Sequence, residues 1–122
     1  MGILGSIMAS KQAGKVADAY ETCFLDMYGK RPQAETVESI RSCAMIIGSF
    51  AGAGNDALGA SKLSDAVDSF ARSVRNDSDS LVLGLGLLVS MCAKPNGKPY
   101  HGYGWAFNVL NNKAWQYCPE LG

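Results

Sequence analysis

The sequence is short of charge and short of catalytic side chains. Charged residues fill 18% of the 122 positions, and eleven Lys plus Arg balance eleven Asp plus Glu, for a formal net charge of zero. A chain with no positive excess has no overall electrostatic drive toward phosphate backbones or acidic membrane surfaces, so nucleic acid is not expected as a partner. Only one histidine is present, His101, and a Ser-His-Asp or Cys-His arrangement would have to use it. The cysteines at 23, 43, 92 and 118 include no CxxC pair, and a lone histidine does not complete a paired zinc spacing. No metal and no cofactor is expected. Gly52-Ala53-Gly54 and Gly84-Leu85-Gly86 are not followed by the residues of a phosphate loop and carry no dinucleotide fingerprint.

Long apolar runs are missing too. The most apolar uncharged stretch, Ser80 to Ala93, falls short of the roughly 20 residues a bilayer crossing needs, so no integral membrane segment is expected. Met1 to Ser10 has no basic start before its short apolar run and reads poorly as a secretory signal. The expected location is cytoplasmic, or periplasmic or secreted if a signal has been removed. Met1-Gly2-Ile3-Leu4-Gly5-Ser6 fits the N-myristoylation pattern, which is short and which ordinary starts also give.

What is present is apolar and periodic. Hydrophobic residues make up 48% of the chain, and its length suits one domain, 1–122, with 1–11 a candidate flexible segment. Residues 12–28 read as a helix with Ala13, Val16, Ala17, Tyr20, Phe24 and Met27 on one stripe, stopped by Gly29 and Pro32. Residues 33–52 read as a second helix, striped by Val37, Ile40, Ala44, Ile47 and Ala51. Cys43, Met45, Ile46 and Phe50 widen that stripe until the second half is apolar nearly all round. Gly48 and Gly52, in line with Ala44, suggest a tight helix crossing. Residues 53–59 read as a glycine loop, and 61–75 as an amphipathic helix with Leu63, Ala66, Val67, Phe70, Ala71 and Val74 inward.

Residues 81–93 are ambiguous between helix and strand, because Gly84 and Gly86 each cost a helix roughly 1 kcal/mol against alanine. Candidate N-caps at 76–79 and the length favour a central buried helix. Residues 105–113 read as a short last helix, with Ala106, Val109 and Leu110 inward. The fold class is therefore all-α: one compact bundle of four to five helices, with 37–51 and 81–93 at its centre.

Between the last two helices lies the most distinctive stretch, Lys94-Pro-Asn-Gly-Lys-Pro-Tyr-His-Gly-Tyr-Gly104, followed by Trp105. Six of the chain's eleven aromatic residues fall between Tyr100 and Tyr117. Lys94 to Gly97 suits a type I turn, while two prolines without N–H groups argue against a β-hairpin. Tyr and Trp dominate interface hot spots, so Lys98, Tyr100, His101, Tyr103 and Trp105 are the candidate binding residues. Tyr100, His101 and Tyr103 are the expected exposed set; Trp105 and Trp115 are expected in the core. No catalytic residue is assigned.

Free cysteine thiols are the preferred reading over disulfides. The function these features favour is a non-enzymatic protein-binding module, a small adaptor, inhibitor or immunity-type protein, with another protein as partner and a homodimer expected from the apolar excess. The alternatives are a secreted or periplasmic disulfide-stapled helical domain, and a small enzyme pairing His101 with a cysteine.

Overall fold

Five helices carry the chain: α1 (Ile3–Tyr28), α2 (Ala34–Phe50), α3 (Asp56–Ser73), α4 (Ser78–Cys92) and α5 (Gly104–Tyr117). The structure, a computed structural model, describes residues 3–119, with side chains from Ile7 onward. Met1 and Gly2, at the head of the acylation pattern, lie outside the described residues. The all-α bundle expected from the periodicity is the fold observed. The first helix starts nine residues earlier than its stripe suggested, so residues 3–11, the candidate flexible segment, are helical.

Local chemistry accounts for most boundaries. Gly29 stops α1 in the left-handed region (φ +70°), its N–H bonded to Leu25 O at 2.8 Å. Asp77 caps α4: its carboxylate accepts from Ser80 N at 3.0 Å and from the Tyr28 hydroxyl at 3.0 Å, tying the end of α1 to the start of α4. Those donors, the Ser80 N–H first and then the hydroxyls of Ser80 and Tyr28, hold the Asp77 carboxyl below its ordinary value.

The core joins the inward stripes. Ala13, Ala17 and Tyr20 from α1 meet Ile40, Ala44 and Ile47 from α2 and Leu63, Val67 and Phe70 from α3, all buried. Met27, expected on the α1 stripe, is instead 51% exposed. Tyr20 is enclosed by rings, with Phe24 and Phe70 each 5.8 Å away between centroids. Its buried hydroxyl has no hydrogen-bond partner, and burial raises its titration well above the phenol range.

Glycines set how closely the helices approach. A Cβ on Gly48 would sit 3.0 Å from Ala9 Cβ, which is the tight α1–α2 crossing expected of the small-residue spacing. Gly52 takes no part in it; α2 ends at Phe50 and Gly52 lies in the following turn at φ +69°. Gly59 corrects the loop boundary. It lies inside α3, where a Cβ would meet Phe50 Cβ at 2.9 Å and the Trp105 ring at 3.1 Å. A glycine read as loop punctuation is in fact a packing residue. Gly84 is the tightest case: a Cβ would stand 2.4 Å from Phe70 Cζ and 2.9 Å from Ile40 Cδ1.

Helix α5 runs to Tyr117, four residues past its expected end, and is clamped to α3. Asp68 accepts from Lys113 Nζ at 2.7 Å and from the Tyr117 hydroxyl at 2.6 Å. Partial burial would raise the Asp68 carboxyl, but these two donors outweigh it and hold it below its ordinary value. The Tyr117 phenol is pushed up to about 12 by burial and by that carboxylate.

Two stability tests follow from these contacts. Gly84→Ala overpacks the α4 crossing and should destabilise the fold by about 1–3 kcal/mol in urea or thermal unfolding. Asp68 titrates lower in the native state than in the unfolded chain, so its stabilisation is complete at neutral pH and is lost as pH falls through the native value. Asp68→Asn should lower neutral-pH stability and flatten the acid limb of a stability-versus-pH curve, measured by urea midpoints.

Candidate functional site

The segment between α4 and α5 is built by two consecutive turns. Gly97 N donates to Lys94 O at 2.9 Å, closing the expected first turn, and Gly97 itself sits at φ +84°. The second turn is closed by Tyr103 N donating to Tyr100 O at 3.0 Å, with Gly102 at φ +86° in the third position, as a type II turn requires.

A single-bridge hairpin stands where the prolines argued against one. Ala93 pairs antiparallel with Pro99. Lys94 N donates to Lys98 O and Tyr100 N to Cys92 O, each at 2.8 Å. The bonds therefore fall on the residues either side of Pro99, and the proline occupies the one pairing position that asks for no N–H. Pro95 lies in the turn.

Two contacts fasten this hairpin to the bundle. Trp105 Nε1 donates to Gly102 O at 3.0 Å while its ring packs edge-on against Phe50, centroids 6.4 Å apart. A Cβ on Gly102 would lie 3.0 Å from Gly52 N, so the hairpin backbone rests directly on the α2–α3 turn.

The candidate residues divide accordingly. Trp105 is buried and serves as the anchor. Lys98, Tyr100 and His101 are exposed, and Tyr103 is half-buried. Tyr100 and Tyr103 make an edge-to-face pair at 6.2 Å. Burial, and then the nearby Cys92, raises the Tyr103 phenol. Trp115, expected in the core, is 59% exposed. At 100° per residue it stands about 140° round α5 from the inward Leu110, a placement that follows once the helix continues past Lys113.

Beside the hairpin a groove of about 560 Å³ runs between α4 and α5, walled by Gly86, Val89, Pro95, Tyr100 and Phe107. Sequence reading found Tyr100 but missed Gly86, Val89 and Phe107. The signal was there: Gly84 and Gly86 are 200° apart on a helix, so one inward contact cannot explain both. Gly84 faces Phe70; a Cβ on Gly86 would meet nothing within 4 Å. Gly86 is thus an exposed helical glycine with no packing role inside the protein.

The titratable groups expected to matter for catalysis are apart in character. His101 is exposed and makes no side-chain hydrogen bond among the described residues. None of the four cysteines is in a disulfide; Cys23 is half-buried and Cys43, Cys92 and Cys118 are buried. Burial pushes the Cys43 and Cys92 thiols up to about 12, away from the thiolate form a nucleophile or metal ligand needs. No three metal-binding side chains converge among the described residues, and no described helix is long and apolar enough to cross a membrane.

No protein-family profile, curated protein or solved structure matches this chain.

Thiol chemistry tests this arrangement. A thiol-reactive chromophore should count four thiols in denaturant. In the native protein Cys23 should react first, with the other three slower by orders of magnitude, at rates set by opening of the fold. Fewer than four thiols in denaturant would mean a disulfide and a different packing around Cys92 or Cys118.

Proposed function

We propose that the protein is a non-enzymatic binding module that covers part of a partner protein with its hairpin and the adjoining α4–α5 groove. The observation that carries this reading is Gly86. Glycine in a helix costs about 1 kcal/mol relative to alanine, and here the cost has no return inside the molecule. A bare helix surface beside Val89, Tyr100 and Phe107 lets another chain approach the α4 backbone closely, with aromatic edges on both sides. The hairpin is held by Trp105 and Gly102 before anything binds, so little ordering entropy is lost on association. Lys98 and His101 add polar character at the rim.

This arrangement suits an adaptor, inhibitor or immunity-type role, in which the work is occlusion and no bond is made or broken. An exposed imidazole and the buried, neutral thiols of Cys43 and Cys92 support the non-enzymatic reading over an enzyme pairing His101 with either of them. The homodimer is the version in which the partner is a second copy, and light scattering at tens of micromolar identifies it.

The test uses the partner captured on the full-length protein from its native host. Tyr100→Ala with Tyr103→Ala should weaken that complex by tenfold or more, since truncated hot-spot aromatics cost about 2 kcal/mol or above. Gly86→Ala should raise the stability of the free protein by about 1 kcal/mol and yet weaken binding. Binding that survives all three substitutions places the partner elsewhere on the surface.

A further inference from the structure

At the other end of α4, about 20 Å from the hairpin by helix length, four helix ends meet around a second cleft. Its volume is about 470 Å³. The end of α1 brings Lys30 and Arg31, the end of α3 brings Arg75, and the first turn of α2 brings Gln33 and Thr36. No acidic residue lines it. None of the three cations makes an ion pair or a side-chain hydrogen bond among the described residues.

Three further features favour a negatively charged ligand here. Helix α2 has no side-chain cap at Gln33, so the Ala34 and Glu35 N–H groups at its positive end are unclaimed. Thr36 is only 3% exposed, yet its hydroxyl makes no hydrogen bond among the described residues. Among the described residues the sealed unpartnered side-chain atom is the Tyr20 oxygen, so the Thr36 hydroxyl is not fully sealed, and Thr36 lines this cleft. Lastly, Arg75 occupies the left-handed position after α3 (φ 53°), where the bonds Arg75 N to Arg72 O and Asn76 N to Ala71 O form a Schellman stop. Glycine is the favoured residue at that position; arginine there is strained and places a cation at the cleft.

The nearby acids lie outside the lining of this cleft. Asp77, two residues from Arg75, caps α4 through Ser80 N and the Tyr28 hydroxyl and keeps its own negative charge. Glu35 lines a separate cleft toward Asp65 on α3.

We propose that this cleft is an oxyanion site that takes a phosphate-class group, held by Lys30, Arg31 and Arg75, the Thr36 hydroxyl and the free N–H groups of α2. The zero net charge of the chain is compatible with this, because recognition of one anionic group needs local convergence and not a basic surface. Phe24, Pro32 and Val74 give the cleft an apolar wall, so a small organic phosphomonoester should bind more tightly than the bare ion.

The experiment is a titration of the full-length protein with inorganic phosphate, followed by amide shifts at constant ionic strength, with chloride as control and phenyl phosphate as a second ligand. Expected are saturable shifts confined to residues 30–37 and 73–80, and tighter binding of phenyl phosphate. Arg31→Ala and Thr36→Val should each weaken binding, the arginine change by about tenfold or more. Arg75→Gly is the decisive variant: it should lose phosphate affinity while melting at the same or a higher temperature, because it relieves the left-handed strain. Shifts spread over all lysines, or affinity unchanged in Arg31→Ala and Arg75→Gly, would overturn the site. Equal affinity for the two ligands would assign it to the free ion.

Discussion

The missing Cβ of Gly84 is the constraint on which the rest of this bundle depends. Phe70 from α3 and Ile40 from α2 occupy the space where that carbon would be. Helix α4 therefore sinks onto the ring of Phe70, which also makes a T-shaped pair with Tyr20. Three helices meet a fourth at one aromatic side chain, and Phe70 is fully buried as a result. The depth of α4 then fixes both of its ends. At the N-terminal end Asp77 and Ser80 reach Tyr28 of α1. At the C-terminal end Cys92 O and Ala93 are positioned to pair with Tyr100 N and Pro99 of the returning segment.

The same helix thereby separates two chemistries. One end carries an aromatic hairpin with an apolar groove, the other a cluster of cations that make no ion pair among the described residues. The hairpin is held by backbone bonds and by an anchor, not by its exposed rings, so Tyr100 is available for contact without being needed for folding. The cationic cleft has the opposite character: its arginine at 75 strains the chain that carries it, a local cost that glycine would not incur. Both places carry a residue with a local cost, Gly86 on a helix and Arg75 in a left-handed turn.

Much of the fold was legible in the sequence because helical periodicity and burial coincide. The Leu63, Val67, Phe70 and Ala71 stripe, the Gly29 stop and the α4 capping region all reappear as read. What was not legible depended on tertiary approach. Gly59 reads in sequence as a loop glycine and Gly84 as a plain cost to its helix, and only the facing rings of Phe50, Trp105 and Phe70 show why no side chain fits. Pro99 looked incompatible with a hairpin until the pairing register placed it where no donor is needed. Trp115 looked like core because the helix carrying it was read too short. The groove was half legible: its tyrosine stood out by composition, whereas Gly86 and Phe107 join it only when α4 and α5 are set side by side. The cationic cleft draws on four separated segments, and no spacing in the sequence brings Arg31, Thr36 and Arg75 together.

Occupancy of the α4–α5 groove is the central claim, and site-specific photo-crosslinking in the native host tests it most directly. A photoreactive residue at Ser90, exposed on the groove rim, should capture one defined protein, and the adduct should disappear when Tyr100 is changed to alanine. The same residue at Ser61, exposed on α3, should capture nothing comparable. Equal capture from both positions, or an adduct at Ser90 indifferent to Tyr100, would contradict it.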